Sequence, residues 1–308
     1  MKKLIIFLFG VFIVSCIQRD SRNPNTIPIP KNIEKDMVLN DLFNDFEFIP
    51  LETTEQSLFG YVNKIEFLNN KFYILDKIKT KRINVFHSDG KFSHSIGKVG
   101  NGTGGFLFST DYQSTENNYL IYRYDKDFIL TDKIIKSNNT TVKMPPLNID
   151  PFIKDGDKIS YFDFFNSTLY WDILNANTKQ ITFEFGNKKA PIEIFNSPMQ
   201  FFEKQQNYNF FITAVIDKGL FWSSYSNHGQ GAVMLITDLA AGEKIAFNKS
   251  WFVDILCCHD GYFYKAYSPM EFQEKNFNFE AKVKSNFPVD FDSNPVILRF
   301  KAQNKFKY

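Results

Sequence analysis

Between Tyr61 and Phe106 the chain shows four short apolar runs in succession. Val62–Leu68 sets Val62, Lys64, Glu66 and Leu68 against Asn63, Ile65 and Phe67. Phe72–Asp76 follows the polar triplet Asn69-Asn70-Lys71, Arg82–His87 follows a Lys- and Thr-rich loop, and Phe92–Ile96 follows Ser88-Asp89-Gly90-Lys91. Aromatic and β-branched runs separated by Asn, Asp and Gly turns predict an antiparallel meander. The connections are too short for crossover helices, so each strand is expected to pair with its sequence neighbour. Four strands in roughly forty residues is the size of one β-propeller blade.

The same pattern continues downstream. Asn118–Tyr124, Asp127–Asp132 and Ile134–Val142 predict a second, ragged blade. Lys158–Phe165, Thr168–Leu174 and Gln180–Phe185 predict a third, and Asn209–Ile216, Leu220–Tyr225, Val233–Leu239 and Lys244–Phe247 a fourth. Trp251–Cys258, Tyr262–Tyr267 and Asn294–Phe300 leave a last blade one strand short. Asp45–Glu52, which precedes the first blade, is expected to complete it, joining the two chain ends and removing a sheet edge. Five blades are traced in this way. Dividing residues 37–308 by about 45 per blade gives six, and the sixth would have to use the weakly patterned stretches Lys188–Gln206 or Thr103–Gln113.

The order Phe48-Ile49-Pro50-Leu51-Glu52-Thr53-Thr54, Ser57-Leu58-Phe59-Gly60, Phe72-Tyr73-Ile74-Leu75-Asp76, Val85-Phe86-His87-Ser88-Asp89-Gly90-Lys91-Phe92 and Ile96-Gly97-Lys98-Val99-Gly100-Asn101-Gly102 resembles the six-bladed, NHL-like β-propeller lipoproteins of Gram-negative gut anaerobes. Thr103, Gly105 and Phe106 stand where that family carries Pro, Glu and Tyr in its glycine-rich turn. The match is good over residues 46–106 and over Asn294–Leu298. It implies an all-β propeller of six four-stranded blades, closed by pairing of N- and C-terminal strands, and an envelope location. It implies no activity.

Ahead of the strands, Met1-Lys2-Lys3 is a short basic segment and Leu4–Val14 an apolar one, too short to span a bilayer. Ile13-Val14-Ser15-Cys16 matches a lipobox, with Cys16 as the thiol that takes diacylglycerol. The expected division is a signal peptide over residues 1–15, a lipid-anchored flexible tether over 16–36 and one propeller domain over 37–308. Pro24, Pro28 and Pro30 favour an extended tether. Ile17-Gln18-Arg19-Asp20 lacks the acidic run that surface-exposed lipoproteins of this group often carry, so the periplasmic and surface leaflets both stay open.

Composition narrows the function. The 36 Phe and 17% aromatic content can fill an extensive β core. The formal charge is +2, and loss of Lys2 and Lys3 leaves the remainder neutral, which argues against nucleic acid as a partner. Cys257 and Cys258 are adjacent. Their α-carbons stand about 3.8 Å apart, below the roughly 4.4 Å of usual disulfides, so two strand thiols are expected. The glycines of Gly97–Gly105 lack the Gly-Lys-Ser/Thr ending of a phosphate loop and suit an inter-blade turn.

The candidate ligand face comprises Asp76, Arg82, Trp171, Trp222, Tyr225, His228 and His259. Asp76 and Arg82 bracket a blade turn, where Asp76 serves as a loop clasp and Arg82 either supports the loop or faces an acidic ligand. The aromatics belong to the core unless they reach a blade mouth, where they would stack on a sugar or peptide. His228 lies in a Gly-rich connection and His259 precedes an Asp-Gly turn. No catalytic or metal motif is visible. Two functions follow. One is a lipid-anchored, non-catalytic binding module for a glycan, a peptide or an envelope protein, without a cofactor. The other is a propeller hydrolase or lyase acting on an extracellular polymer or lactone through funnel His and carboxylates, with calcium as the cofactor it would take.

Overall fold

The computed structural model describes residues 25–34, 43–99, 105–106, 119–124, 130–136, 151–175, 177–248, 255–274, 281–284 and 287–303. The expected signal peptide, Cys16 and the first four residues of the expected strand Trp251–Cys258 lie outside them.

The fold is all-β. In chain order the strands are β1 (Thr26–Pro28), β2 (Phe43–Pro50), β3 (Lys64–Leu68), β4 (Lys71–Asp76), β5 (Arg82–His87), β6 (Phe92–Ile96), β7 (Lys98–Val99), β8 (Gly105–Phe106), β9 (Tyr119–Tyr124), β10 (Leu130–Lys136), β11 (Phe152–Asp155), β12 (Lys158–Asp163), β13 (Thr168–Trp171), β14 (Lys179–Glu184), β15 (Asn209–Asp217), β16 (Leu220–Asn227), β17 (Ala232–Asp238), β18 (Lys244–Asn248), β19 (Cys257–His259), β20 (Tyr262–Tyr267), β21 (Lys282–Val283) and β22 (Val296–Ala302). Among the described residues two short α-helices, α1 (Pro198–Lys204) and α2 (Pro269–Glu274), sit in connections.

Four sheets have the size of a blade: β3-β4-β5-β6, β11 to β14 with β1 added, β15-β16-β17-β18, and β19-β20-β22-β2 with β21 added. The arrangement is propeller-like with four blades, which corrects both the expected six and the five traced from the pattern. Two features account for the difference. The second predicted blade is only the pair β9-β10 among the described residues. Of the stretches considered for a sixth blade, Lys188–Gln206 folds within three 3₁₀ turns and α1, where Pro191 and Pro198 suit helix starts and not a central strand, and Thr103–Gln113 lies outside the described residues except for Gly105 and Phe106. The blade over β11–β14 gains a first strand, β11, that four residues of unremarkable pattern had hidden.

Within each blade, neighbours in sequence pair antiparallel, as the short turns require. In the last blade β2 lies antiparallel to β22, with Phe48 opposite Leu298 and Pro50 opposite Val296. The expected tether is partly built into the fold. β1 pairs in parallel with β14, Thr26 opposite Thr182, and Glu34 bridges to Phe247 of β18. Ile27 is buried, so an apolar side chain holds this segment on a sheet edge.

Many of the described phenylalanines lie between the blades. One core joins Phe162 and Phe183 to Phe211 and Phe221. A second joins Trp222 and Met234 to Phe43, Phe263 and Phe300. A third joins Phe72, Ile74 and Phe86 to Tyr264 and Ile297. Ring pairs cross these three seams: Phe183–Phe221 at 4.7 Å, Trp222–Phe263 at 4.9 Å and Phe67–Tyr264 at 5.3 Å. β16 is buried on both faces because blades flank it on both sides.

Gly90 fastens the first blade to the last. It sits at φ +87°, and an added Cβ would lie 2.1 Å from the carbonyl oxygen of Pro50. Its own carbonyl accepts from the N–H of Glu52 at 2.9 Å. Gly90→Ala is therefore expected to lower stability by more than about 2 kcal/mol in urea unfolding, through strained φ and collision with backbone.

Candidate functional site

The first hairpin of every blade turns at the same end of the molecule, and each does so in two residues: Asn69-Asn70, Gly156-Asp157, Lys218-Gly219 and Asp260-Gly261. Both residues have positive φ in three of them (50° and 58°, 52° and 81°, 51° and 80°), the conformation that matches strand twist and that Asn, Asp and Gly tolerate. Tight turns let the inner strands β3, β11, β15 and β19 approach one another. Where they converge there is a cavity of about 660 Å³.

All four blades line it. Glu66, Phe67, Leu68 and Tyr73 come from β3 and β4. The turn over 154–157 adds Lys154, Asp155 and Asp157, the next turn adds Asp217 and Lys218, and the last adds Cys258, His259 and Asp260. Carboxylates stitch these turns together. Asp155 accepts from the N–H groups of Lys218 (2.8 Å) and Gly219 (3.0 Å) on the next blade. Asp217 in turn accepts from the N–H of Gly261 (3.1 Å) on the blade after that. The Cys258 thiol donates to the Ile216 carbonyl at 2.7 Å. Phe67 meets the His259 ring at 5.8 Å, and His259 Nε2 lies 3.5 Å from Asp260 Oδ2.

Burial pushes the Asp217 carboxyl above its ordinary value, opposed by the Gly261 N–H and Lys218 and assisted by Asp155 and Asp260. Burial also raises both cysteine thiols well above their usual range, which keeps them protonated and unreactive. Among the described residues no group of three or more His, Cys, Asp or Glu is placed to hold a metal ion. What the site offers is an aromatic wall, hydrogen-bonding carboxylates and an imidazole around a water-sized-to-ligand-sized space.

Of the seven candidates, His259 lines this cavity. Trp171 lies close by, in van der Waals reach of the Gly219 turn, with Lys158 and Lys179 ammonium groups 5.2 and 5.7 Å from its ring. The others stand elsewhere. Asp76 is buried, and its carboxylate accepts from the N–H groups of Gly60, Ile78, Lys79 and Thr80 and from the Thr80 hydroxyl. Arg82 faces no funnel, since its Nη2 donates to the carbonyls of Gln56 (2.6 Å) and Leu58 (3.1 Å). Trp222 and Tyr225 are core residues, and burial lifts the Tyr225 hydroxyl to about 12. His228 turns the β16–β17 hairpin, at the far end of β16 from the cavity, and its Nδ1 lies 3.0 Å from Asn227 Oδ1 and 3.2 Å from Asn209 Oδ1.

The sequence reading missed Asp155, Asp157 and Asp217. Their signal was a recurrence: an Asp within two residues of a Gly at three strand ends, Asp155-Gly156-Asp157, Asp217-Lys218-Gly219 and Asp260-Gly261.

The two aspartates make opposite pH signatures. Burial opposes the Asp76 charge, but its backbone donors win and hold the carboxyl below 3.8. Its stabilisation is present above that value and lost as pH falls through the folded pKa. Asp76→Asn is thus expected to lower the melting midpoint at pH 7, with the gap closing below pH 3.8. Asp217 is raised, so its ionised form is penalised and wild-type stability grows as pH falls through the folded value. Asp217→Asn is expected to match or exceed wild type at neutral pH and to lose that advantage towards pH 3.8. Paired thermal melts across the acid range check both.

Comparison with known proteins places residues 24–136 in the sequence model of a domain of unknown function, DUF4934. No curated protein matches. A solved structure, described as a "Putative exported protein" of Bacteroides fragilis, superposes with a TM-score of 0.61 at 13% identity, covering 91% of this chain and 99% of that one. At that identity the likeness concerns the fold. Neither finding identifies the NHL-like lipoprotein family, and the four blades depart from its six.

Proposed function

We propose that this chain is an envelope binding module whose ligand enters the cavity at the hairpin end. The observation that carries the reading is the convergence of four blades on one polar, aromatic-walled space. Its volume falls in the range of about 300–1,000 Å³ usual for ligand sites. Tyr73 and Phe67 supply flat apolar surface, and Glu66, Asp157, His259 and Asp260 supply hydrogen-bonding groups around it. Such a mixture suits an oligosaccharide, whose rings stack and whose hydroxyls donate to carboxylates. The Cys258 thiol at the cavity is held protonated by burial and tied to the Ile216 carbonyl, which favours binding over thiol-based turnover.

The envelope address rests on the leader and on Cys16 as the lipid-bearing residue, with the exported description of the Bacteroides structure in support. Among the described residues no helix is long and apolar enough to cross a membrane. Pairing of β2 with β22 serves, in this reading, as the closure of the blade ring.

A melting screen of the chain after its leader, against oligosaccharide and peptide panels, tests the proposal. A ligand at about a hundred times its dissociation constant adds roughly 2.7 kcal/mol. An oligosaccharide is expected to raise the midpoint. His259→Ala combined with Asp260→Asn is expected to abolish that rise while leaving the ligand-free midpoint near wild type, because both side chains are solvent-facing. A shift that survives these changes would place the ligand elsewhere, and released product would favour a hydrolase or lyase.

A further inference from the structure

The end opposite the cavity has a different surface. Strands β4 and β14 run from the cavity end towards it, and the loop over 51–63, the turn over 77–81 and α1 all lie there. Among the described residues, exposed large apolar side chains crowd at this end: Leu58, Tyr61 and Ile78 on the first blade, and Met199 and Phe202 on α1. The cavity end shows Leu68 and Leu174.

The first-blade group forms one built patch. Arg82 holds the Leu58 carbonyl, and Asp76 holds the N–H groups of Gly60, Ile78 and Lys79. Gly60 presses against the Lys79 side chain so closely that a Cβ would lie 2.5 Å from it. Asn294 pins the same loop from the last blade, accepting from the Phe59 N–H and donating to the Glu52 and Ser57 carbonyls. Tyr61 (54% exposed) and Ile78 (52%) are therefore held outward on rigid backbone. Lys77, Lys79 and Lys81 are exposed beside them, with Glu55 the exposed acid of the loop.

We infer that this patch docks on an anionic lipid bilayer. The inference deepens the anchored reading above and rests on it for orientation only. An exposed group of three apolar side chains flanked by three exposed lysines fits a headgroup interface, where apolar tips enter and ammonium groups meet lipid phosphate. With the patch on a membrane, the cavity at the opposite end faces away from it.

The test uses the whole chain after its leader with Cys16→Ser, so that no acyl chain can form. It measures co-sedimentation with vesicles of phosphatidylglycerol mixed with phosphatidylcholine, and of phosphatidylcholine alone. The chain is expected to bind the mixed vesicles, to prefer them over the neutral ones and to release as salt rises. Each lysine near an anionic surface contributes about fivefold in affinity, so the Lys77→Glu, Lys79→Glu, Lys81→Glu variant is expected to bind on the order of a hundredfold more weakly or worse. Ile78→Ser, which keeps every charge, is expected to weaken binding severalfold. Unchanged melting midpoints show that the variants fold. Equal binding to both vesicles, no binding to either, or full binding by the lysine variant overturns the inference, as does capture by immobilised polyglutamate without any vesicle binding, which would assign the patch to an acidic protein. Fatty-acid labelling of the wild-type chain tests the anchor separately, so the two can fail independently.

Discussion

The structure depends on aromatic packing between blade sheets whose strands form no common ladder among the described residues. Phe162, Phe183, Phe211 and Phe221 lock two blades together, and Phe43, Trp222 and Phe263 lock the next pair. Tyr264 stands between Phe67 and Phe72 across the third seam. Each such ring pair contributes about 0.5–1.5 kcal/mol beyond the area it buries. No single blade could bury its own faces, so the inner strands order only together. The high phenylalanine content is the material of these seams.

That convergence has a chemical consequence. Once the seams bring four two-residue turns to one end, their polar residues become neighbours although they are far apart in sequence. Asp155 and Asp217 spend their oxygens on the backbone of the following blade and so fix the cavity's rim. Asp157, Asp260, His259 and Tyr73 stay available to a ligand. At the other end Asp76 and Asn294 do the corresponding work on a loop, but there the surface they hold rigid is apolar and basic. One scaffold thus presents two unlike ends, a hydrogen-bonding cavity at one and an exposed apolar and basic patch at the other.

Much of this was legible in the sequence because strand period and turn chemistry are local. The runs over 62–96 and 209–247 form the four-stranded sheets they predict, and Asp260-Gly261 makes the tight hairpin its composition requires. What was not legible depends on tertiary contact. Phe152–Asp155 is too short to announce itself. Thr26–Pro28 reads as tether, and becomes a strand only because β14 offers it an edge and a pocket for Ile27. Trp222 and Tyr225 could have faced a ligand on pattern alone. Their burial follows from blades on both sides of β16, which no property of their own strand reveals. The cavity residues come from turns 42 to 87 residues apart, and only the recurrence of Asp close to Gly hinted that they belong together.

The central claim is that the four-hairpin end is the ligand face. Hydrogen exchange with and without a bound oligosaccharide tests it most directly, because it reports where the ligand protects the backbone. The account expects slowed exchange confined to the turns over 154–157, 217–219 and 259–261 and to β3–β4. Protection centred instead on the loop over 51–63, the turn over 77–81 or α1 would contradict it.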